Sequence, residues 1–186
     1  FQRPGKTSLI KGTADGIIPI YAVWDPNEYT VNFDKHDDKA EGVMDPQEFR
    51  YDKPQTLSPN KFTKTGYHFD HWNLNPDDSS NSFKDQQEVK NLTADVNGNL
   101  TMYAFWKSND YTVRFHKNFE TATGYMDDQG FSYDKPQKLA PNEYEREGYY
   151  LKAWNTAPDL SGASYANEQE VLNLTDVKNG IVDLYA

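Results

Sequence analysis

The chain repeats itself at one fixed spacing, and this constrains its fold more than any other feature. Tyr29 returns as Tyr111, Tyr51 as Tyr133, Trp72 as Trp154 and Tyr103 as Tyr185, each 82 positions on. Residues 29–104 align with 111–186 without a gap, and about half of the aligned positions are identical. The offset also runs backwards: "GIIPIYAVW" at 16–24 matches "GNLTMYAFW" at 98–106, and Phe1 falls opposite Phe83 and Tyr165. Self-similarity at such a period marks a folding unit that couples to its neighbours. The expected organisation is the C-terminal part of a preceding repeat (1–24), a repeat unit (25–106) and a second unit (107–186) whose last strand is truncated before the expected Trp. The chain reads as a window on a longer tandem array.

Alternation of apolar and polar residues makes the units mostly strand. "YTVNF" and "YTVRF" set Tyr, Val and Phe against polar neighbours, and "EFRYD" and "GFSYD" repeat the pattern until Pro54 and Pro136 end it. "GYHF" and "GYYL" start after a glycine that can take a left-handed turn. The last strand puts Leu100, Met102, Ala104 and Trp106 on one face, as do Ile18, Ile20, Ala22 and Trp24, and Val182, Leu184 and Ala186. Helix is scarce, with one or two turns expected in "KDQQEVKNL" and "ANEQEVLNL". Only "DPNE" (25–28) and "KSND" (107–110) separate the units, so neighbours are closely coupled.

Aromatic residues make up 15% of a chain that is only 36% hydrophobic, which points to small cores built on rings rather than to disorder. A net charge of −10 opposes binding to nucleic acid or anionic lipid. The absence of cysteine removes disulfides, zinc–thiolate sites and thiol catalysis, and fits a cytosolic or a bacterial surface protein. No apolar run is long enough to span a bilayer, so membrane insertion is not expected.

Taken in order, "YTV-F", "GY…WN" and "YA-W" resemble the Listeria–Bacteroides repeat, also called the internalin B-repeat, over both full units and, through 16–24, the leading fragment. The resemblance implies an α+β, strand-dominated fold: tandem small β-grasp (ubiquitin-like) repeats arranged head to tail. It also implies a secreted or wall-attached bacterial protein, many of whose relatives are adhesins or invasins. In such a fold the first and last strands lie parallel and side by side. The pattern departs where His71 and Ala153 replace the glycine before the central Trp, and in the turns "DKHDDKAEG" and "HKNFETATG".

Candidate sites are weaker than this pattern. Trp72 and Trp154 could stack on sugars, but a unit of about 80 residues without disulfides needs its one central Trp inside. His68, Asp70 and His71 carry metal-ligand chemistry, yet on a regular strand 68 and 71 face opposite sides, and the second unit has Tyr150, Lys152 and Ala153 there. Surface histidines are expected. The acidic loops "NPDDSSNS" and "DKHDD" lack calcium-loop spacing. Asn91, Asn99 and Asn173 open Asn-Leu-Thr sequons that, in a bacterial chain, mark the approach to the last strand. Lys35/Lys117 recur with Asn73/Asn155 and Asn91/Asn173, the residue types of a Lys–Asn isopeptide staple.

No nucleophile motif, phosphate loop or paired catalytic carboxylates appear, so an enzyme is not expected, and no catalytic residue, cofactor or metal is assigned. The favoured expectation is a repeat region of an extracellular bacterial cell-surface protein, wall-attached through other parts of the chain. It would act as an elongated stalk and an interaction surface. Its partners would be the neighbouring repeats and a host or neighbouring-cell surface protein or glycan, held by repeated weak contacts. The alternatives are a carbohydrate-binding module, with Phe119 and Tyr125 as candidate rings, and an accessory region of a secreted hydrolase.

Overall fold

The computed structural model describes residues 21–77 and 82–186. In the first unit the chain opens with β1 (Glu28–Asp34), where Tyr29 and Val31 are buried and Thr30 between them is not. Beside it runs β2 (Gln47–Arg50), antiparallel, with Tyr29 opposite Phe49 and their rings stacked at 5.5 Å. A two-residue β3 (Gln55–Thr56) follows, then β4 (Tyr67–Asn73), the short β5 (Glu88–Val89) and the long β6 (Gly98–Ser108). The main sheet has the order β2-β1-β6-β4, and β3 pairs with β5 apart from it. The first and last strands are parallel, in register from Tyr29 against Gly98 to Asp34 against Tyr103.

The second unit repeats this plan. Its strands are β7 (Asp110–His116), β8 (Gln129–Ser132), β9 (Gln137–Lys138), β10 (Trp154–Asn155), β11 (Ser164–Tyr165), β12 (Glu170–Val171) and β13 (Ile181–Tyr185). The sheet order is β11-β10-β13-β7-β8, and β7 and β13 are parallel. Each unit has its own core. The first gathers Tyr29, Val31, Phe49, Leu57, Trp72 and Met102, the second Tyr111, Val113, Phe131, Leu139, Trp154 and Leu184. Both central tryptophans are 0% exposed, so the repeated "GY…WN" motif is core. Among the described residues there is no helix, and therefore none that could cross a membrane.

Three local expectations change. The stretches "KDQQEVKNL" and "ANEQEVLNL" form tight turns and short strands instead of helical turns. Gln86 and Glu168 sit at φ 55° and 56°, which breaks a helix, and Gln87 and Gln169 lock the turn by accepting from the amides of Lys84 and Ala166. The following Glu88–Val89 and Glu170–Val171 then pair with β3 and β9. Strands β2 and β8 stop before the prolines, because Asp52 and Asp134 already take φ 63° and 59°. "GYYL" is not a strand: β10 keeps only Trp154–Asn155, whereas β4 extends back to Tyr67 by pairing Tyr67–Phe69 with Trp106–Ser108. Ile18 and Ile20, and most of the fragment 1–24, lie outside the described residues, while Ala22 and Trp24 are exposed.

The parallel pairing of first and last strands sends the chain in at one end of a unit and out at the other. Ten residues separate Gly98, beside the entry strand, from Ser108 at the exit, about 33 Å at the usual rise.

Candidate functional site

The four residues "KSND" are not a free linker. Lys107 and Ser108 complete β6 and Asp110 begins β7, leaving Asn109 alone between two strands. Asn109 is 5% exposed, and every polar group it carries is engaged. Its amide donates to the Gly66 carbonyl at 2.8 Å, and its own carbonyl accepts from Tyr133 at 2.9 Å. The side-chain amide donates to the Asp176 carbonyl at 2.7 Å, and Oδ1 meets His68 Nδ1 at 2.9 Å. One residue thus hydrogen-bonds to the exit end of the first unit and the entry end of the second. A buried asparagine satisfied on both sides resists displacement, because each broken bond leaves a desolvated polar group.

Around it the two ends interlock. Gly66, at φ +74°, presents bare backbone to the Tyr133 ring, and a Cβ there would stand 2.2 Å from a ring carbon. Tyr67 packs edge-on to Tyr133 at 5.9 Å, and its hydroxyl donates to Asp134 Oδ2 at 2.9 Å. Burial and then the Asp134 carboxylate raise the Tyr67 pKa. The Asp134 pKa is lowered, first by the Asn173 amide and then by Tyr67. Asn173 takes φ 53° and accepts from the Asp134 amide at 2.6 Å; Asn91 does the same for Asp52. Of the three sequon asparagines, Asn91 and Asn173 therefore hold the turns that carry the two Tyr-Asp pairs.

Beside this joint, Lys64 lies 3.8 Å over the Tyr67 ring and pairs with Asp37 at 2.6 Å, which lowers the Asp37 pKa. The second unit keeps the tyrosine as Tyr149 and exchanges the other two together: Arg146 sits between Phe119 and Tyr149, 4.1 and 4.0 Å from their ring centres. Phe119, one of the two rings proposed for sugar stacking, thus carries a guanidinium. The same region opens into a groove of about 870 Å³ lined by Lys117, Phe119, Tyr144, Arg146, Tyr149 and Tyr150. In the first unit the equivalent space holds the end of β6: Phe69 faces Trp106, whose Nε1 donates to the Lys35 carbonyl at 2.9 Å. Beside the groove Tyr149 and Tyr150 are 67% and 85% exposed.

The remaining candidates are placed as follows. His68 and His71 do not face opposite sides. A bulge at Asp70 restores their parity, so that His68 pairs with Lys107 and His71 with Phe105. They nevertheless serve different partners, His68 on Asn109 and His71 stacked on Phe105 with Nδ1 on Asp70. No group of three metal-binding side chains forms among the described residues. The ammonium groups of Lys35 and Lys117 donate to the carbonyls of Ala40 and Ala122. Asn155 binds its own loop at Gly162 and Ser164. Part of the loop "NPDDSSNS" lies outside the described residues. Asn109 is not singled out by the sequence, which marks Tyr133 only as a repeat position and Gly66 only as a turn glycine. The available signal was the recurrence of Asn27/Asn109, Gly66/Gly148 and Tyr51/Tyr133 near the unit boundaries.

A family model described as the Listeria–Bacteroides repeat domain matches this chain twice, over residues 29–105 and 111–186. Two curated proteins of Evansella cellulosilytica are similar to it. One, named "Putative Gly-rich membrane protein", is 28% identical over 153 residues, 81% of this chain and 16% of the relative. The other, named "Putative membrane protein", is 28% identical over 151 residues, 78% of this chain and 20% of the relative. The chain thus spans a fifth or less of the length of these relatives.

Proposed function

The chain belongs to the Listeria–Bacteroides repeat family, in two tandem copies, and on that premise we propose that it is a non-enzymatic spacer and interaction region of a bacterial cell-surface protein. The observation that carries this reading is the joint at Asn109, which joins the exit end of one unit to the entry end of the next. Parallel first and last strands make each unit a through-going segment, and they also support reading each unit as a β-grasp fold. A series of such segments carries whatever follows it away from its anchor. It also presents one surface at regular intervals, where weak contacts to a host protein or glycan gain avidity. The names of the two relatives support a membrane-associated or surface setting. Of the two rings that could form a sugar platform, Phe119 has the Arg146 guanidinium on its face while Tyr125 is exposed, which weakens the case for a carbohydrate-binding module.

Display on a bacterial wall tests the spacer role. Residues 25–186 are placed between a wall anchor and an epitope and compared with a compact domain of similar length. The account expects greater antibody access with the repeats. Equal access with both inserts would contradict it.

A further inference from the structure

The entry end of the second unit is the half of the joint that receives Gly66 and Tyr67, and the first unit carries the same half ready-made. Tyr51 donates its amide to the Asn27 carbonyl at 2.8 Å, as Tyr133 does to Asn109 at 2.9 Å. The Asn27 side chain donates to the Ala94 carbonyl at 2.7 Å, as Asn109 does to Asp176. Asp52 is held at φ 63° and accepts from the Asn91 side chain, as Asp134 does at φ 59° from Asn173. Among the described residues no aromatic ring packs on Tyr51 and no hydroxyl donates to Asp52, whose Oδ1 is paired with Lys90 at 3.1 Å where the second unit has Leu172, whereas Tyr133 and Asp134 receive both a ring and a hydroxyl from Tyr67, the hydroxyl on Oδ2.

We propose that the Asn27–Tyr51–Asp52 face is a preformed docking surface, and that its occupant is the Gly-Tyr edge of another repeat of this kind. The inference rests on the stalk reading, which it deepens by naming the partner of this face. Continuity with the existing joint specifies the occupant's chemistry. It needs a glycine at positive φ, because a Cβ would meet the tyrosine ring, and it needs a tyrosine hydroxyl next to it to donate to the aspartate.

The approach to this face is compatible with such an occupant. Pro26 stands where Ser108 stands in the existing joint. There Asn109 donates to Gly66, so the neighbouring pair, Tyr67 with Ser108, is a non-hydrogen-bonded one in the antiparallel ladder. Proline at that position removes an N–H the ladder does not use. The −10 charge and the small size of a joint like this disfavour association of separate molecules. A tether of a few residues supplies the effective concentration instead.

The test is a three-unit chain in which a second copy of residues 25–106 precedes residues 25–186. The absence of cysteine allows spin labels to be placed at will. Glu48→Cys with Lys138→Cys reports the existing joint. Glu48→Cys in the added copy with Thr56→Cys in the original first unit reports the new one from equivalent positions. The expected result is two narrow distance distributions that superimpose. Tyr51→Ala in the original unit, or Gly66→Ala in the added copy, should broaden only the new distribution, and Tyr133→Ala only the existing one. A broad new distribution beside a narrow existing one would overturn the proposal. So would a narrow one that neither Tyr51→Ala nor the added copy's Gly66→Ala alters. A broad existing distribution would instead contradict the stalk reading itself.

Discussion

Replacing Trp72 by alanine removes the centre of the first core. Its indole is 0% exposed and packs against Phe33, Phe62 and Phe69 at ring distances of 5.1, 6.0 and 4.7 Å. A buried Trp hides about 200 Å² of surface, which at ~25 cal/mol per Å² amounts to about 5 kcal/mol. An already compact unfolded chain reduces this by about a quarter, and the cavity left behind raises it again. One term is favourable: Trp72 Nε1 is buried without an acceptor, and its removal relieves about 1–3 kcal/mol of desolvation. The net expectation is a loss of about 3–5 kcal/mol, the usual range for a large aromatic. A unit of this size holds about 4–12 kcal/mol in all, so the first unit is left marginal. Urea unfolding followed by amide NMR separates the units. Signals of β1 and β6 should disappear about 2–5 M earlier, at about 1–1.5 kcal/mol per M, while those of β7 and β13 stay near their original midpoint. An unchanged midpoint for the first unit would refute the reasoning and reopen Trp72 as a ligand contact.

Other perturbations reach the joint. Gly66→Ala and Gly148→Ala both place a side chain at φ near +75° and each should cost about 1–2 kcal/mol, but only the first also drives a methyl into Tyr133. Amide shifts of Asn109 and Tyr133 should therefore move in Gly66→Ala and not in Gly148→Ala. Because the Asp134 pKa is lowered in the folded state, its contribution is present above its unfolded pKa of about 4 and is lost as pH falls through the lower folded value. The Tyr67 pKa is raised, so its contribution is complete below about 10 and is lost as pH rises through the higher folded value. NMR of the Tyr133 ring and amide through a pH titration should show an intact joint between these limits; loss of the Tyr67–Tyr133 contact at intermediate pH would contradict this assignment. Residues 107–186 should also fold without residues 1–106, melting somewhat earlier for want of the joint. Collapsed amide dispersion would contradict that.

The core was legible because its signal is constancy: Trp72 and Trp154 hold their place while the residues before them change from His68, Phe69 and Asp70 to Tyr150, Leu151 and Lys152. Strands β1 and β7 were legible because period-two alternation is a local property. The helical turns were misjudged because Gln and Glu favour helix, and nothing local announces that Gln86 and Glu168 adopt left-handed backbone. His68 and His71 were assigned to opposite faces because parity counting assumes an unbroken pleat, and the bulge at Asp70 breaks it. The joint was the least legible part. Asn109, Gly66 and the Tyr133–Asp134 pair are ordinary turn residues one by one. They acquire meaning only when two parallel strands bring the end of one unit against the start of the next.

The central claim, that the units run head to tail instead of packing side by side, is tested most directly by small-angle X-ray scattering of residues 25–186. A single globule of this length has a radius of gyration of about 15 Å from domain scaling. The first unit alone extends about 33 Å along β6 from entry to exit, and the second continues from its far end. The account predicts a radius of gyration well above the globular value and a pair-distance distribution with a long tail. A radius near 15 Å, with a symmetric distribution, would contradict it.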